Sequence, residues 1–131
     1  MKTFVLIALL VAVLAAGCGS NSTSTSVYTL AASKHCFETK LGIHRFPALT
    51  DDFVASTASG GAVRVRLNDN AVTVLFGKDA DEASNLADAY RRFHAKNVGV
   101  EDVLQTQGNA VLLWQIHPSA IDDGKVKDCL K

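Results

Sequence analysis

Apolar and polar positions are unevenly arranged along the chain. Residues 4–16 form an unbroken apolar run, and residues 19–26 are eight small polar residues. From residue 27 onward the two kinds interleave at helical or strand periods. Over residues 27–41, Leu30, Ser33, Phe37 and Leu41 share one helical face with Cys36 beside them. Ser26 can cap that helix and Gly42 can end it, although Val27-Tyr28-Thr29 is a β-prone opening. Residues 43–47 read as extended, because the residue before a proline avoids helix. Thr50-Asp51-Asp52 caps a short turn carrying Phe53 and Val54, which Ser59-Gly60-Gly61 closes.

Ala62-Val63-Arg64-Val65-Arg66-Leu67 alternates cleanly, and residues 71–76 form a second strand. A two-residue turn at Asp69-Asn70 pairs Leu67 with Val72, Val65 with Val74 and Val63 with Phe76 on one face. A three-residue loop sets those valines opposite Ala71, Thr73 and Leu75, a poorer match. Asp79-Ala80-Asp81-Glu82 has the form of a capping box. The helix it opens carries Ala83, Leu86, Ala87, Tyr90 and Phe93 on one stripe. Its acidic start and its Arg91, Arg92, His94 and Lys96 ending suit the helix dipole. Residues 103–107, the turn Gly108-Asn109 and residues 110–116 read as another hairpin. After Pro118 a last helix buries Ile121, Val126, Cys129 and Leu130. The resulting expectation is an α+β two-layer sandwich. A first helix precedes a ββαββα core, whose four antiparallel strands carry the helices against one face.

Asn70-Ala71-Val72 and Asn109-Ala110-Val111 open equivalent strands 39 residues apart. Aligned on them, Val72, Val74, Val111 and Leu113 face the core. Leu75, Val103, Leu112 and Trp114 then share the other face with Arg64, Arg66 and Thr73. A merely solvated face should be mostly polar. Arg64, Arg66 and Trp114 are therefore the candidate interaction surface. The competing reading covers this face with the first helix and residues 43–58, which must bury Phe37, Leu41, Phe46 and Phe53 somewhere.

The chain has 131 residues, with 13 Lys+Arg against 13 Asp+Glu. It is one small domain with no charge surplus, so nucleic acid is not an expected partner. The apolar run falls short of the roughly 20 residues that span a bilayer. A basic start, a short apolar core and small residues at its end describe an export signal. Leu14-Ala15-Ala16-Gly17-Cys18 resembles the lipobox of bacterial lipoproteins. That resemblance covers residues 1–18, with Ala15 where Leu is commonest. It implies a signal peptide over residues 1–17 and a diacylglyceryl group on the Cys18 thiol. It also implies a membrane anchor outside the cytoplasm, for which two or three acyl chains suffice. Residues 18–26 would then be the lipidated Cys and a flexible Ser/Thr linker of roughly 15 Å, and residues 27–131 the domain. The layout resembles that of many small bacterial cell-envelope lipoproteins, a likeness that brings no activity with it.

With Cys18 used for lipid, Cys36 and Cys129 remain, and an oxidising compartment favours a disulfide between them. His35, His44, His94 and His117 lack metal-ligand spacing, so neither a metal nor a cofactor is expected. Hydrolase, P-loop and dinucleotide fingerprints are missing. Asp51-Asp52 and Asp122-Asp123 read as helix-start acids. The function expected is a tethered binding or interaction module of the cell envelope, not an enzyme. Its partner would be an envelope protein or a small ligand. The alternative is a structural or accessory lipoprotein without a specific ligand.

Overall fold

The computed structural model describes residues 27–93 and 99–131. The apolar run, Cys18, the linker, the expected Ser26 cap and His94 with Lys96 lie outside the described residues. Helix α1 (Leu30–Leu41) starts later than its period suggests. Extended Thr29 caps it, accepting the Ala32 N–H through Oγ1. Gly42 ends it at φ 66°, a left-handed conformation in which a missing Cβ avoids a clash. Helix α2 (Phe53–Ser56) is a single turn capped by Asp52. Strands β1 (Ala62–Leu67) and β2 (Asn70–Phe76) form the first hairpin. Helix α3 (Ala80–Phe93) follows, with Asp79 Oδ1 accepting the Glu82 N–H at 2.8 Å. Strands β3 (Leu104–Gln107) and β4 (Ala110–Trp114) form the second hairpin. Helix α4 (Ala120–Asp128) is capped by Ser119, so it begins two residues after Pro118, the expected first helical residue.

The four strands make one antiparallel sheet in the order β1-β2-β4-β3, and the α+β class is as expected. The helices, however, divide between the two faces. On one face Val63, Val65, Leu67, Val72, Val74, Phe76, Ala110, Leu112 and Trp114 form a core with Cys36 and Phe37 of α1, Val126 of α4, Cys129 and Leu130. On the other, Leu75, Leu104 and Val111 pack with Ala83, Leu86, Ala87 and Tyr90 of α3 and with Val54 and Ala55 of α2. The central strands explain this division. β4 is apolar on both sides and so is the second half of β2, as strands covered on both faces must be. Phe93 and Ile121, expected inside, are both 71% exposed.

Two details of register differ from the sequence reading. The first turn is Asn68-Asp69, and the strands pair Leu67 with Asn70, Val65 with Val72 and Val63 with Val74. Asn68 takes φ 51°, a conformation that Asn tolerates better than most residues. The two-residue shift preserves side-chain parity, so the inward direction of the valines stands. The alignment of the two hairpins is off by one residue: Val72 corresponds to Leu112, and Asn70 corresponds to Ala110 rather than to Asn109. A one-residue slip exchanges the two faces of a strand. Val111 and Leu113 therefore point away from the valines, and Leu112 and Trp114 toward them.

Cys36 and Cys129 are joined as a disulfide, with Cα atoms 5.3 Å apart across 93 residues of sequence. Closing a loop of that length is worth on the order of 4–5 kcal/mol in a chain-entropy account. Thr29 N–H donates to Lys131 O, and Lys131 N–H donates to the buried Ser33 Oγ at 3.1 Å. Three links thus fasten the last described residues to α1.

Candidate interaction site

Helix α3 lies mainly over β3 and β4. The part of the same face formed by β1 and the start of β2 carries Arg64, Arg66, Ala71 and Thr73 instead of large apolar side chains. Two adjoining hollows open there. The first, about 410 Å³, holds Arg64, Arg66, Ala71, Thr73, Leu113 and Gln115. The second, about 520 Å³, holds Asp51, Asp52, Phe53, Tyr90, Phe93 and again Arg64 and Leu113. Arg64 and Leu113 form the ridge between them.

Arg64 is opposite Thr73 in the ladder, and its Nε–H donates to Thr73 Oγ1 at 3.2 Å. This bond fixes the direction of the guanidinium. The remaining nitrogens are loosely engaged: Nη1 is 4.0 Å from Asp51 Oδ1, and Nη2 is 3.9 Å from Asp52 Oδ2. These are attractive separations but too long for hydrogen bonds. Arg66 is opposite Ala71, a side chain too short to support it, and has no ion pair among the described residues.

Asp52 is the fixed point of the second hollow. Its Oδ1 accepts the Ala55 N–H at 2.9 Å, and its Oδ2 accepts the Tyr90 O–H at 2.8 Å. Burial, reinforced by that carboxylate, pushes the Tyr90 hydroxyl well above its ordinary range. Tyr90 therefore remains a proton donor and is not available as a base. Phe53 and Phe93 meet edge to face at the rim, 6.3 Å between ring centroids, and each is 71% exposed. The site combines a half-buried cation, a cation without an ion pair among the described residues, a hydroxyl–carboxylate pair and an exposed aromatic pair. It can hold an anionic group beside an apolar one.

The structure brings Arg64 and Arg66 together as the alternation predicts. Trp114 departs from the candidate surface. It borders the first hollow but is only 2% exposed, and it packs on the opposite face among the valines. The cause is the one-residue slip described above: Trp114 is the partner of Val72, not the neighbour of the arginines. Leu113 takes the place assigned to it. Asp52, Tyr90, Phe53 and Phe93 also line the site, brought together from distant parts of the sequence. Asp52 reads in sequence as a helix cap, which it is. Its contact with Tyr90 spans 38 residues and has no local signal.

His117 Nδ1 lies 2.9 Å from Asp102 O, beside the 3₁₀ turn Val100–Asp102. Among the described residues no three His, Cys, Asp or Glu side chains converge as metal ligands, and no helix is long and apolar enough to cross a membrane. No protein-family model matches the chain, and neither a curated protein nor a solved structure shows significant similarity to it.

Proposed function

We propose that the chain is a lipid-anchored, extracytoplasmic lipoprotein whose domain is a small interaction module of the cell envelope. In this reading Cys18 carries the acyl chains, the Ser/Thr linker sets the domain off the membrane, and the Arg64/Arg66 side of the sheet receives the partner. The observation that carries the contact surface is Arg64 itself. It is oriented by Thr73 yet, among the described residues, hydrogen-bonded to no carboxylate, on the part of that sheet face away from α3's main contacts with β3 and β4. The Cys36–Cys129 disulfide supports export, because such links form and persist in oxidising compartments.

Photo-crosslinking in the intact envelope tests this reading. A photoreactive side chain at Gln115, exposed on the edge of the first hollow, should give a discrete adduct that Arg66→Glu abolishes. The same group at Asp128, exposed on α4, should not. In the same cells Cys18→Ser should move the protein from the detergent phase to the aqueous phase. Equal labelling from both positions, or none from position 115, rejects the contact surface. Unchanged partitioning of Cys18→Ser rejects the anchor.

A further inference from the structure

β1 is an edge strand, and its free side can be read from the hydrogen bonds. Phe76 N–H donates to Gly61 O at 2.9 Å, and Gly60 N–H donates to Phe76 O at 2.7 Å. A Cβ on Gly60 would lie 2.6 Å from that same oxygen, which is why this approach needs glycine. The bonded pair at Gly61 and Phe76 sets the phase of the ladder. In an antiparallel pair every second residue exchanges its N–H and C=O with the partner strand. Val63, Val65 and Leu67 therefore bond to β2, in agreement with the two-residue turn next to Leu67. Ala62, Arg64 and Arg66 point their backbone groups outward, and among the described residues no backbone hydrogen bond outside the ladder reaches them. Of these three, Ala62 borders the segment Phe46–Leu49, whereas Arg64 and Arg66 carry cationic side chains that face the open hollows.

We infer that the edge of β1 at Arg64 and Arg66 accepts an extended acidic segment of a partner as a fifth strand, with its carboxylates paired to the two arginines. This deepens the contact surface proposed above and rests on it. Strand addition takes its affinity from main-chain bonds and its specificity from alternate side chains. Here the alternate positions on the groove side meet Arg64, already oriented by Thr73, and Arg66, which has no ion pair among the described residues. Asp51, 81% exposed and 4.0 Å from Arg64, shows that a carboxylate can approach this guanidinium from solvent. A second copy of the chain is the wrong occupant. Antiparallel pairing of two β1 strands about Val65 would put Arg64 opposite Arg66 twice, and like charges directly opposed are destabilising. The other edge, β3, is four residues long and bears no charge.

The test is amide hydrogen exchange on the full-length lipidated protein in detergent micelles. The probe is an acetylated, amidated hexapeptide of alternating Glu and Val. In the free protein the Val63, Val65 and Leu67 amides should exchange slowly, and those of Arg64 and Arg66 fast. At millimolar peptide the Arg64 and Arg66 amides should slow by tenfold or more. The Lys/Val peptide should leave them unchanged, and so should the acidic peptide N-methylated at alternate residues. In Arg66→Glu the preference should pass to the Lys/Val peptide. Unchanged exchange at Arg64 and Arg66 overturns strand addition. Protection that appears with protein concentration alone overturns it in favour of a second copy. A crosslink from position 115 without amide protection leaves the surface standing and removes only the added strand. Loss of the crosslink removes the surface itself.

Discussion

Asp52 serves three neighbours with two oxygens, capping α2, receiving the Tyr90 hydroxyl and attracting Arg64. The Tyr90 bond has a consequence for stability against pH. The folded state holds that proton far above the ordinary tyrosine value, whereas the unfolded chain releases it near pH 10. The contribution is therefore complete below about pH 10 and is lost as pH rises beyond it, because there the unfolded state binds fewer protons. Tyr90→Phe should lower stability by about 1 kcal/mol at neutral pH. It should also flatten the alkaline decline by up to ~1.4 kcal/mol per pH unit. Urea unfolding of both proteins from neutral to strongly alkaline pH checks this. Parallel declines would show that Tyr90 is not held as described. Asn109 is a second residue whose role exceeds its turn. Its buried amide donates to Tyr28 O at 2.9 Å and to Gly77 O at 2.7 Å, and its Oδ1 accepts the Tyr28 N–H at 2.7 Å. Asn70 does similar work, donating to Ile116 O and accepting from Ile116 and Ala71 N–H. The two asparagines resemble each other in chemistry while standing one residue out of step in their hairpins. Aligning the halves on them therefore misassigned β4.

At the scale of elements, what was legible depended on how local the signal is. Strand β1 alternates so strictly that the direction of Arg64 and Arg66 follows from the sequence alone. The capping box of α3 was equally readable, because its bonds lie within four residues; Glu82 also accepts from Lys78 N–H and from Ser59. Those bonds, led by the Ser59 hydroxyl, hold the Glu82 carboxyl below its usual range. Strand β4 was not readable, because Ala110 to Trp114 is apolar at every position and gives no parity. The Gly108-Asn109 turn is local and readable, but which face each residue of β4 joins is fixed by its pairing with β2, a tertiary fact. The first turn carries its own test. Asn68 occupies left-handed backbone, so Asn68→Ala should destabilise by about 1 kcal/mol while Asn68→Gly stays within a few tenths. Equal urea midpoints for the two variants would contradict the Asn68-Asp69 turn.

The whole molecule is a sheet with unequal coverage. α1, α4 and the disulfide seal the valine face, whereas α3 and α2 close only part of the other. The α+β class was readable from the order of periods, and the Cys36–Cys129 pairing from the lipobox resemblance that sets Cys18 apart. The division of helices between faces was not, because only α3 carries a clear apolar stripe, and the few buried residues of α1 and α4 select neither side. The central claim is that the sheet separates residues that hold the fold from residues free to make contact, with Trp114 in the first group and Arg66 in the second. Chemical unfolding of Trp114→Ala beside Arg66→Glu tests it most directly. The account predicts a loss of roughly 3–5 kcal/mol for Trp114→Ala and a change within about 0.5 kcal/mol for Arg66→Glu. A Trp114→Ala midpoint near that of the unmutated protein, or an Arg66→Glu midpoint that collapses, would contradict it.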